Sequence, residues 1–193
     1  MIKIKIIAGS TRPGRFNTQP AQWIYNLAKE RKDIEVELLD LAEINLPLLD
    51  EAVPPSMAGG KYEHEHTRKW AAKISEADGF IIVAPEYNHS VPAALKNALD
   101  FVYHEWSFKP VSYISYGSLA GGARSVEHLR GIAGELKMYD LREQILLPAY
   151  YENLNEKGEY QFNERHVKQA EGMLNDITFW STEMKASRAK LSI

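Results

Sequence analysis

The stretch Gly9-Ser10-Thr11-Arg12-Pro13-Gly14-Arg15-Phe16-Asn17-Thr18 lies between an apolar run and an amphipathic run. The run before it, Ile2 to Ala8, predicts a first strand, and the run after it, Gln19 to Arg31, predicts a first helix. Backbone N–H groups at the start of a helix have no partners within the helix, and the helix dipole adds partial positive charge there. The two arginines add guanidinium groups that suit phosphate oxygens. We therefore expect the Gly9–Thr18 loop to bind a phosphate group.

Known phosphate-binding motifs narrow the ligand by exclusion. Gly9 and Gly14 have the spacing of a Walker A motif, but Arg15 and Phe16 stand where that motif needs Lys and then Ser or Thr. The dinucleotide fingerprint G-x-G-x-x-G also fails, because residue 11 is Thr. The chain has no Cys, which excludes a phosphatase loop built on a cysteine nucleophile. A βα turn with a basic surface and no ligand remains the alternative.

The composition is that of an ordinary globular protein. Its 193 residues are 45% hydrophobic and 25% charged, so we predict one domain over residues 1–193. The formal net charge of −3 argues against nucleic acid as the main partner. A chain without Cys fits a cytoplasmic protein. No apolar run reaches the ~20 residues that span a bilayer, so we expect no membrane partner.

Strand and helix signals alternate along the chain. Further strands are predicted at Glu35–Leu39, Gly79–Ala84, Val111–Tyr116 and Gln144–Leu147. Further helices are predicted at His66–Ala77, Ala93–Tyr103, Ala123–Met138 and from Asn163 onwards, where the last helix is long. Side chains of Asn17 or Thr18 and of Ser90 are predicted as helix caps, and residues 41–61 as a long irregular loop. Right-handed crossovers then predict a three-layer α/β fold with a doubly wound parallel five-stranded sheet in the order 2-1-3-4-5.

Three polar loops follow strands that are neighbours in this order. The switch point lies between strands one and three, where ligands bind at the carboxyl ends. The Gly9–Thr18, Pro85–Pro92 and Gly117–Gly122 loops should therefore meet at one crevice. Glycines allow the backbone to approach a flat ring closely, and Tyr87 and Asn88 offer an aromatic wall and hydrogen bonds. Taken alone, residues 86–88 fit an ordinary polar turn equally well.

Four segments together resemble the NADPH-dependent FMN reductase family, which includes flavodoxin-like quinone, chromate and azo-dye reductases. They are Gly9–Arg15, Pro85–Asn88, Lys96–Asp100 and Gly117-Ser118 with Gly121-Gly122. The resemblance covers residues 1 to about 150. It implies a flavodoxin-like fold, FMN as cofactor, NADPH or NADH as co-substrate, and a homodimer or homotetramer with the helix after Pro92 at the subunit contact. His89 departs from the pattern, because a small residue is common there, and the C-terminal helix is longer than expected.

The resemblance also implies a role for each site residue. The phosphate of FMN would be held by Ser10, Arg12, Arg15, Phe16 and Asn17. The edge of the isoalloxazine would be contacted by Pro85, Glu86, Tyr87 and Asn88. The pyrimidine end of the ring would lie near Gly117 and Ser118. No side chain is implied as a catalytic acid and no metal is implied, because N5 of the flavin carries the hydride.

The resulting hypothesis is an FMN-dependent oxidoreductase. It would take hydride from NAD(P)H and reduce a small acceptor such as a flavin, a quinone, an azo compound or a metal oxyanion. A flavodoxin-type electron carrier serving protein partners is one alternative, although −3 net charge with 23 basic residues does not indicate its acidic surface. A nucleotide-binding regulatory domain is another, although Phe16 replaces the hydroxyl that would hold Mg²⁺.

Other residues receive a structural interpretation. The helix after Pro92 has apolar residues on more than one side, and this excess predicts contact with a partner helix. The apolar residues are Leu95, Leu99, Phe101 and Val102. His64 and His66 are interpreted as a solvated helix entrance rather than as metal ligands. Trp106 and Phe108 fit core packing at least as well as a wall of a neighbouring subunit's site.

Overall fold

Five parallel strands form one sheet in the order β2-β1-β3-β4-β5, which confirms the predicted topology. The structure is a computed structural model and describes residues 1–191. The strands are β1 (Ile2–Ala8), β2 (Ile34–Asp40), β3 (Gly79–Pro85), β4 (Pro110–Tyr116) and β5 (Tyr139–Leu147). The central strands β1, β3 and β4 are buried almost throughout, as expected when both faces of a sheet are covered.

Helices cover both faces of the sheet. They are α1 (Thr18–Lys29), α2 (Leu41–Ile44), α3 (Pro55–Ala58), α4 (Glu65–Ser75), α5 (Ala93–Asp100), α6 (Ala123–Glu135) and α7 (Glu164–Leu191). One hydrophobic cluster joins α1 and α7 to one face, and another joins α4, α5 and α6 to the opposite face. Within residues 1–191, no helix combines the length and the apolar character needed to cross a membrane.

The helices predicted at 93–103 and 123–138 each end three residues earlier, at Asp100 and Glu135, and two other segments differ more. Residues 41–61 contain α2 and α3 rather than only irregular loop, and the Asn97 side chain fixes this segment by hydrogen bonds to the Leu49 N–H at 2.9 Å and the Pro47 carbonyl at 2.7 Å. β5 begins at Tyr139, five residues before the predicted start, because its first half pairs with β4 beside a register shift. Its charged side chains hide the strand pattern in the sequence.

The apolar excess around α5 is covered inside one chain. Leu95, Leu99, Phe101 and Val102 are all buried in the structure, so they do not require a partner helix. Trp106 is also fully buried, with its ring centroid 4.9 Å from that of Phe80, in agreement with core packing.

Candidate functional site

The Gly9–Thr18 loop leaves the carboxyl end of β1 and returns through a tight turn. The Arg15 N–H donates to the Arg12 carbonyl at 3.2 Å, and Gly14 has a φ of +65°. Pro13 and Gly14 occupy the second and third positions, which suits a type II turn because its third residue needs a positive φ. The local sequence thus explains how the loop turns back towards the start of α1.

The buried Asn17 carboxamide holds this loop against β3. Its Nδ2 donates to the Val83 carbonyl at 2.9 Å, and its Oδ1 accepts from the Ser10 N–H at 3.3 Å. The predicted side-chain cap is therefore wrong, because Asn17 occupies the N-cap position without a cap bond and Thr18 already lies in the helix. The Asn17 side chain holds the loop in shape, and the backbone N–H group of Asn17 remains free for a ligand.

Several donors of the loop are free. Several backbone N–H groups of the loop have no acceptor within residues 1–191. They include those of Thr11, Arg12, Phe16 and Asn17. The Arg12 side chain is exposed and makes no ion pair within the same range. The Arg15 guanidinium instead pairs with Asp40 at the end of β2, and only 16% of its side chain is exposed. Free N–H groups beside a free guanidinium are the donors that bind phosphate.

The Phe16 ring lies in an aromatic cluster beneath the loop. It stacks on Tyr150 at 4.3 Å between centroids and meets Tyr116 edge-on at 5.0 Å. The Phe16 side chain is therefore occupied by packing, and of its polar groups the backbone N–H is free for a ligand. The buried Tyr116 hydroxyl and Arg15 Nε have no hydrogen-bond partner in the described part of the chain, and burial raises the pKa of Tyr116 above its usual range. Such orphaned atoms cost free energy unless something completes the site.

The loop after β3 forms a tight turn over residues 87–90. Tyr87 and Ser90 exchange two backbone hydrogen bonds of 3.0 Å, and Asn88 and His89 have φ values of +51° and +65°. Two central residues with positive φ are typical of a type I′ turn. The Tyr87 hydroxyl lies 2.9 Å from Ser10 Oγ, which brings this loop into contact with the Gly9–Thr18 loop.

The predicted cap at Ser90 is wrong. Ser90 Oγ lies 2.9 Å from Nδ1 of His128 on α6, and the N-cap position of α5 is taken by Pro92. A side chain that lies against α6 is not available to the first turn of α5. Ser90 therefore ties the residue 87–90 turn to the neighbouring helix.

Glu86 joins the second loop to the third. Its carboxylate is almost buried and accepts hydrogen bonds from the Arg124 side chain and from the Arg124 N–H at 3.1 Å. The Arg124 side chain thereby holds the pKa of the Glu86 carboxyl below its usual range. A Cβ on Gly117 would lie 3.5 Å from Glu86 Cβ and 3.2 Å from the Gly122 nitrogen, so the third loop also reaches the crevice.

The predicted site residues differ in solvent exposure. Four are exposed or carry exposed side chains: Arg12, Tyr87, Asn88 and Ser118. Pro85 is buried at the end of β3, and Ser10 is buried beside Tyr87. Asp40, Tyr116 and Arg124 also border the crevice, although the sequence did not predict them as site residues. Asp40 and Tyr116 could have been predicted, because they stand at the carboxyl ends of β2 and β4, beside the strands that lead into the crevice. No feature of the local sequence marks Arg124.

The paired histidines lie away from the crevice. The rings of His64 and His66 stack at 5.2 Å between centroids, and His66 Nε2 lies 2.9 Å from an Asp50 carboxylate oxygen. No group of three or more His, Asp or Glu side chains within residues 1–191 is arranged to hold a metal ion. These histidines connect the 41–61 segment to α4.

The residues present fit the phosphate end of a phosphorylated flavin. Free N–H groups, the unpaired Arg12 guanidinium and two orphaned polar atoms border the same loop. The turn at residues 87–90 and Gly117 follow the adjacent strands β3 and β4, so they lie at the same edge of the sheet as the Gly9–Thr18 loop. This arrangement is suited to binding and orienting a phosphorylated ligand.

Comparisons with known proteins agree with this geometry. A sequence profile of the NADPH-dependent FMN reductase family matches residues 2–152. An NAD(P)H-dependent FMN reductase of Schizosaccharomyces pombe is 43% identical over 136 residues, covering 70% of this chain and 68% of the relative. An NADPH:quinone oxidoreductase of Arabidopsis thaliana is 34% identical over 143 residues, covering 72% and 70% of the two chains.

A solved structure shows the same fold. The flavoenzyme NAD(P)H:(acceptor) oxidoreductase FerB of Paracoccus denitrificans superposes with a TM-score of 0.74 at 20% identity, covering 95% of this chain and 99% of FerB. At that identity the likeness concerns the fold alone. From the profile match and the sequence relatives, the chain belongs to the NADPH-dependent FMN reductase family.

Proposed function

We propose that this protein is an FMN-dependent oxidoreductase that takes hydride from NAD(P)H and reduces a small acceptor. The observation that carries the proposal is the Gly9–Thr18 loop, whose free N–H groups and unpaired Arg12 lie where three loops meet at the sheet's switch point. Relatives named FMN reductase and quinone oxidoreductase support the choice of flavin and of a quinone-like acceptor.

We assign the phosphate to the Gly9–Thr18 loop. Arg12 contributes its guanidinium, Ser10 its hydroxyl, and Phe16 and Asn17 their N–H groups. Arg15 contributes positive charge that Asp40 holds in place. Residues 85–88 would contact the edge of the isoalloxazine, and Gly117 and Ser118 would lie near its pyrimidine end.

Bound FMN supplies the hydride chemistry, and the protein supplies binding and orientation. The Arg124–Glu86 pair fixes the second and third loops relative to each other. The Asn17 carboxamide fixes the first loop to β3. Both contacts are made by protein groups alone, so they would hold the loops in position for the ring.

We also propose a homodimer, or a homotetramer built from dimers, that works in the cytoplasm. A groove of about 750 Å³ lies between α5 and α6 and is lined mainly by apolar atoms. It includes Leu99, Val102 and Ile132, and it shares Ser90 with the residue 87–90 turn. A partner subunit on this groove would therefore lie next to the crevice.

The visible spectrum of the purified protein tests the proposal. We expect a yellow protein, or an apoprotein that turns yellow with added FMN, whose flavin absorbance bleaches when NADPH or NADH is added without oxygen. Addition of a quinone should restore the absorbance. A protein that does not bind FMN, or whose flavin stays oxidised with both nucleotides, would refute the proposal.

A further inference from the structure

His89 has a backbone conformation that few residues other than glycine adopt. Its φ of +65° lies in the left-handed region, where glycine is unstrained and a side chain costs free energy. Its neighbour Asn88 also has a positive φ, but the short Asn side chain tolerates that region better. Strain of this kind at a site is often retained for function.

Packing does not explain why His89 is retained. Its side chain is exposed and makes no hydrogen bond or ion pair with residues 1–191. The turn is held instead by the reciprocal Tyr87 and Ser90 backbone bonds and by the Ser90 contact with His128. The imidazole therefore adds no contact within the described chain that would offset the strain of its backbone.

The charges of the three loops leave two basic groups without partners. The loops contain Arg12, Arg15, His89 and one acid, Glu86, and Arg124 follows the third loop in the first turn of α6. Glu86 is taken by Arg124, and Arg15 is taken by Asp40 from outside the loops. Arg12 and His89 remain, on different loops of one crevice. Within residues 1–191, the crevice therefore presents a free guanidinium on one loop and a free imidazole on another.

We propose that His89 determines nucleotide affinity by donating a hydrogen bond to a phosphate group of NAD(P)H. The inference rests on the proposed function. FMN carries one phosphate, which the Gly9–Thr18 loop receives, so an anion at the residue 87–90 turn belongs to another molecule. The pyridine nucleotide carries a diphosphate, and NADPH carries a further 2′-phosphate, whereas quinones are uncharged. An imidazole N–H is a suitable donor to either phosphate.

Two variants and a matched control test the proposal on the FMN-loaded protein. His89→Asn keeps a residue that tolerates positive φ and shortens the donor, and His89→Gly removes the strain with the side chain. Lys137→Gly is the control, because exposed Lys137 also has a positive φ of +56° and follows α6, away from the three loops. Titration calorimetry measures the Kd of NADP⁺ and NAD⁺, and steady-state kinetics measure the KM of NADPH and of a quinone.

Both His89 variants should weaken NADP⁺ binding about tenfold, which is the loss expected for one hydrogen bond to a charged group. The KM of NADPH should rise, while kcat and the KM of the quinone stay near wild type. Equal weakening of NAD⁺ identifies the diphosphate, and weakening of NADP⁺ alone identifies the 2′-phosphate. Lys137→Gly should leave all these values unchanged.

Unchanged nucleotide affinity in both His89 variants would overturn the inference. So would a fall in the Tm of His89→Gly relative to wild type, because it would show that the imidazole stabilises the fold. Failure of the wild-type holoprotein to be reduced by either nucleotide would refute the proposed function instead. The two failures are therefore distinguishable.

Discussion

Arg12 and Arg15 are both basic residues of one loop, but their surroundings differ. Arg12 is exposed and unpaired in the described chain, whereas Arg15 is largely buried and paired with Asp40. Arg15→Ala should destabilise the fold, since the change leaves the Asp40 carboxylate without its basic partner. Arg12 is therefore the better position for testing the phosphate site.

Arg12→Ala should weaken FMN binding roughly tenfold to a hundredfold, because it removes charge-assisted hydrogen bonds to the phosphate. Riboflavin has the same ring and ribityl chain without the phosphate, so its affinity should not change. Arg142→Ala is the control, because Arg142 is 94% exposed on β5. Calorimetric titration of both ligands into the apoproteins measures the effect. Equal losses for riboflavin and FMN would contradict a phosphate role.

Lys109 is a buried base far from the crevice. Its Nζ donates to the carbonyls of Ile74 at 2.7 Å and Ser75 at 3.0 Å, near the end of α4. Burial, followed by the charge of Arg188, lowers the pKa of Lys109 to about 7. An unfolded lysine keeps a pKa of about 10.4, so between these values the unfolded state binds more protons. This group therefore makes the free energy of unfolding rise with pH across that window.

Lys109→Met should remove this rise. The free energy of unfolding of wild type minus that of the variant should grow between pH 7 and pH 10, by at most about 4 kcal/mol. Urea unfolding at several pH values measures the difference. A difference that is constant across this range would show that Lys109 titrates normally in the folded protein.

At the scale of secondary-structure elements, the conformation of the Gly9–Thr18 loop depends on the side chain of Asn17, near the end of the same loop. Asn17→Ala leaves the buried Ser10 N–H without an acceptor and removes the bond to the Val83 carbonyl. We expect a loss of about 2–3 kcal/mol in the free energy of unfolding and weaker FMN binding. Asn26→Ala, at an exposed position of α1, should change stability by less than about 0.5 kcal/mol. Similar values for the two variants would show that the loop keeps its shape without Asn17.

At the scale of the whole molecule, the groove between α5 and α6 is the proposed contact surface for a second subunit. Gly131 lines it, and a Cβ at that position would meet no atom within 4 Å. Gly131→Arg should therefore be tolerated by the single chain, because arginine also favours a helix more than glycine does. Against a partner subunit the same side chain would clash and leave a buried charge.

We expect light scattering to give a multiple of 21.9 kDa for wild type and a single 21.9 kDa chain for Gly131→Arg, with circular dichroism unchanged. A wild-type monomer would contradict the proposed assembly. An unchanged oligomer in the variant would locate the subunit contact on another surface.

The order of strands and the meeting of the three loops were determined by the sequence itself. Apolar runs, glycine-rich loops and helix periods are local signals, and right-handed crossovers convert their alternation into one topology. The turn at Pro13 and Gly14 is equally local, because both residues stand where the turn needs them.

Only the tertiary structure decided which side chains remain free for a ligand. Arg15 meets Asp40, and Arg124 meets Glu86 38 residues away, so each pairing depends on how separate elements dock. The start of β5 was missed for the same reason, since its charged residues are strand-forming only through pairing with β4. A sequence pattern records the preferences of neighbours along the chain, whereas charge pairing and burial depend on distances in space that folding alone creates.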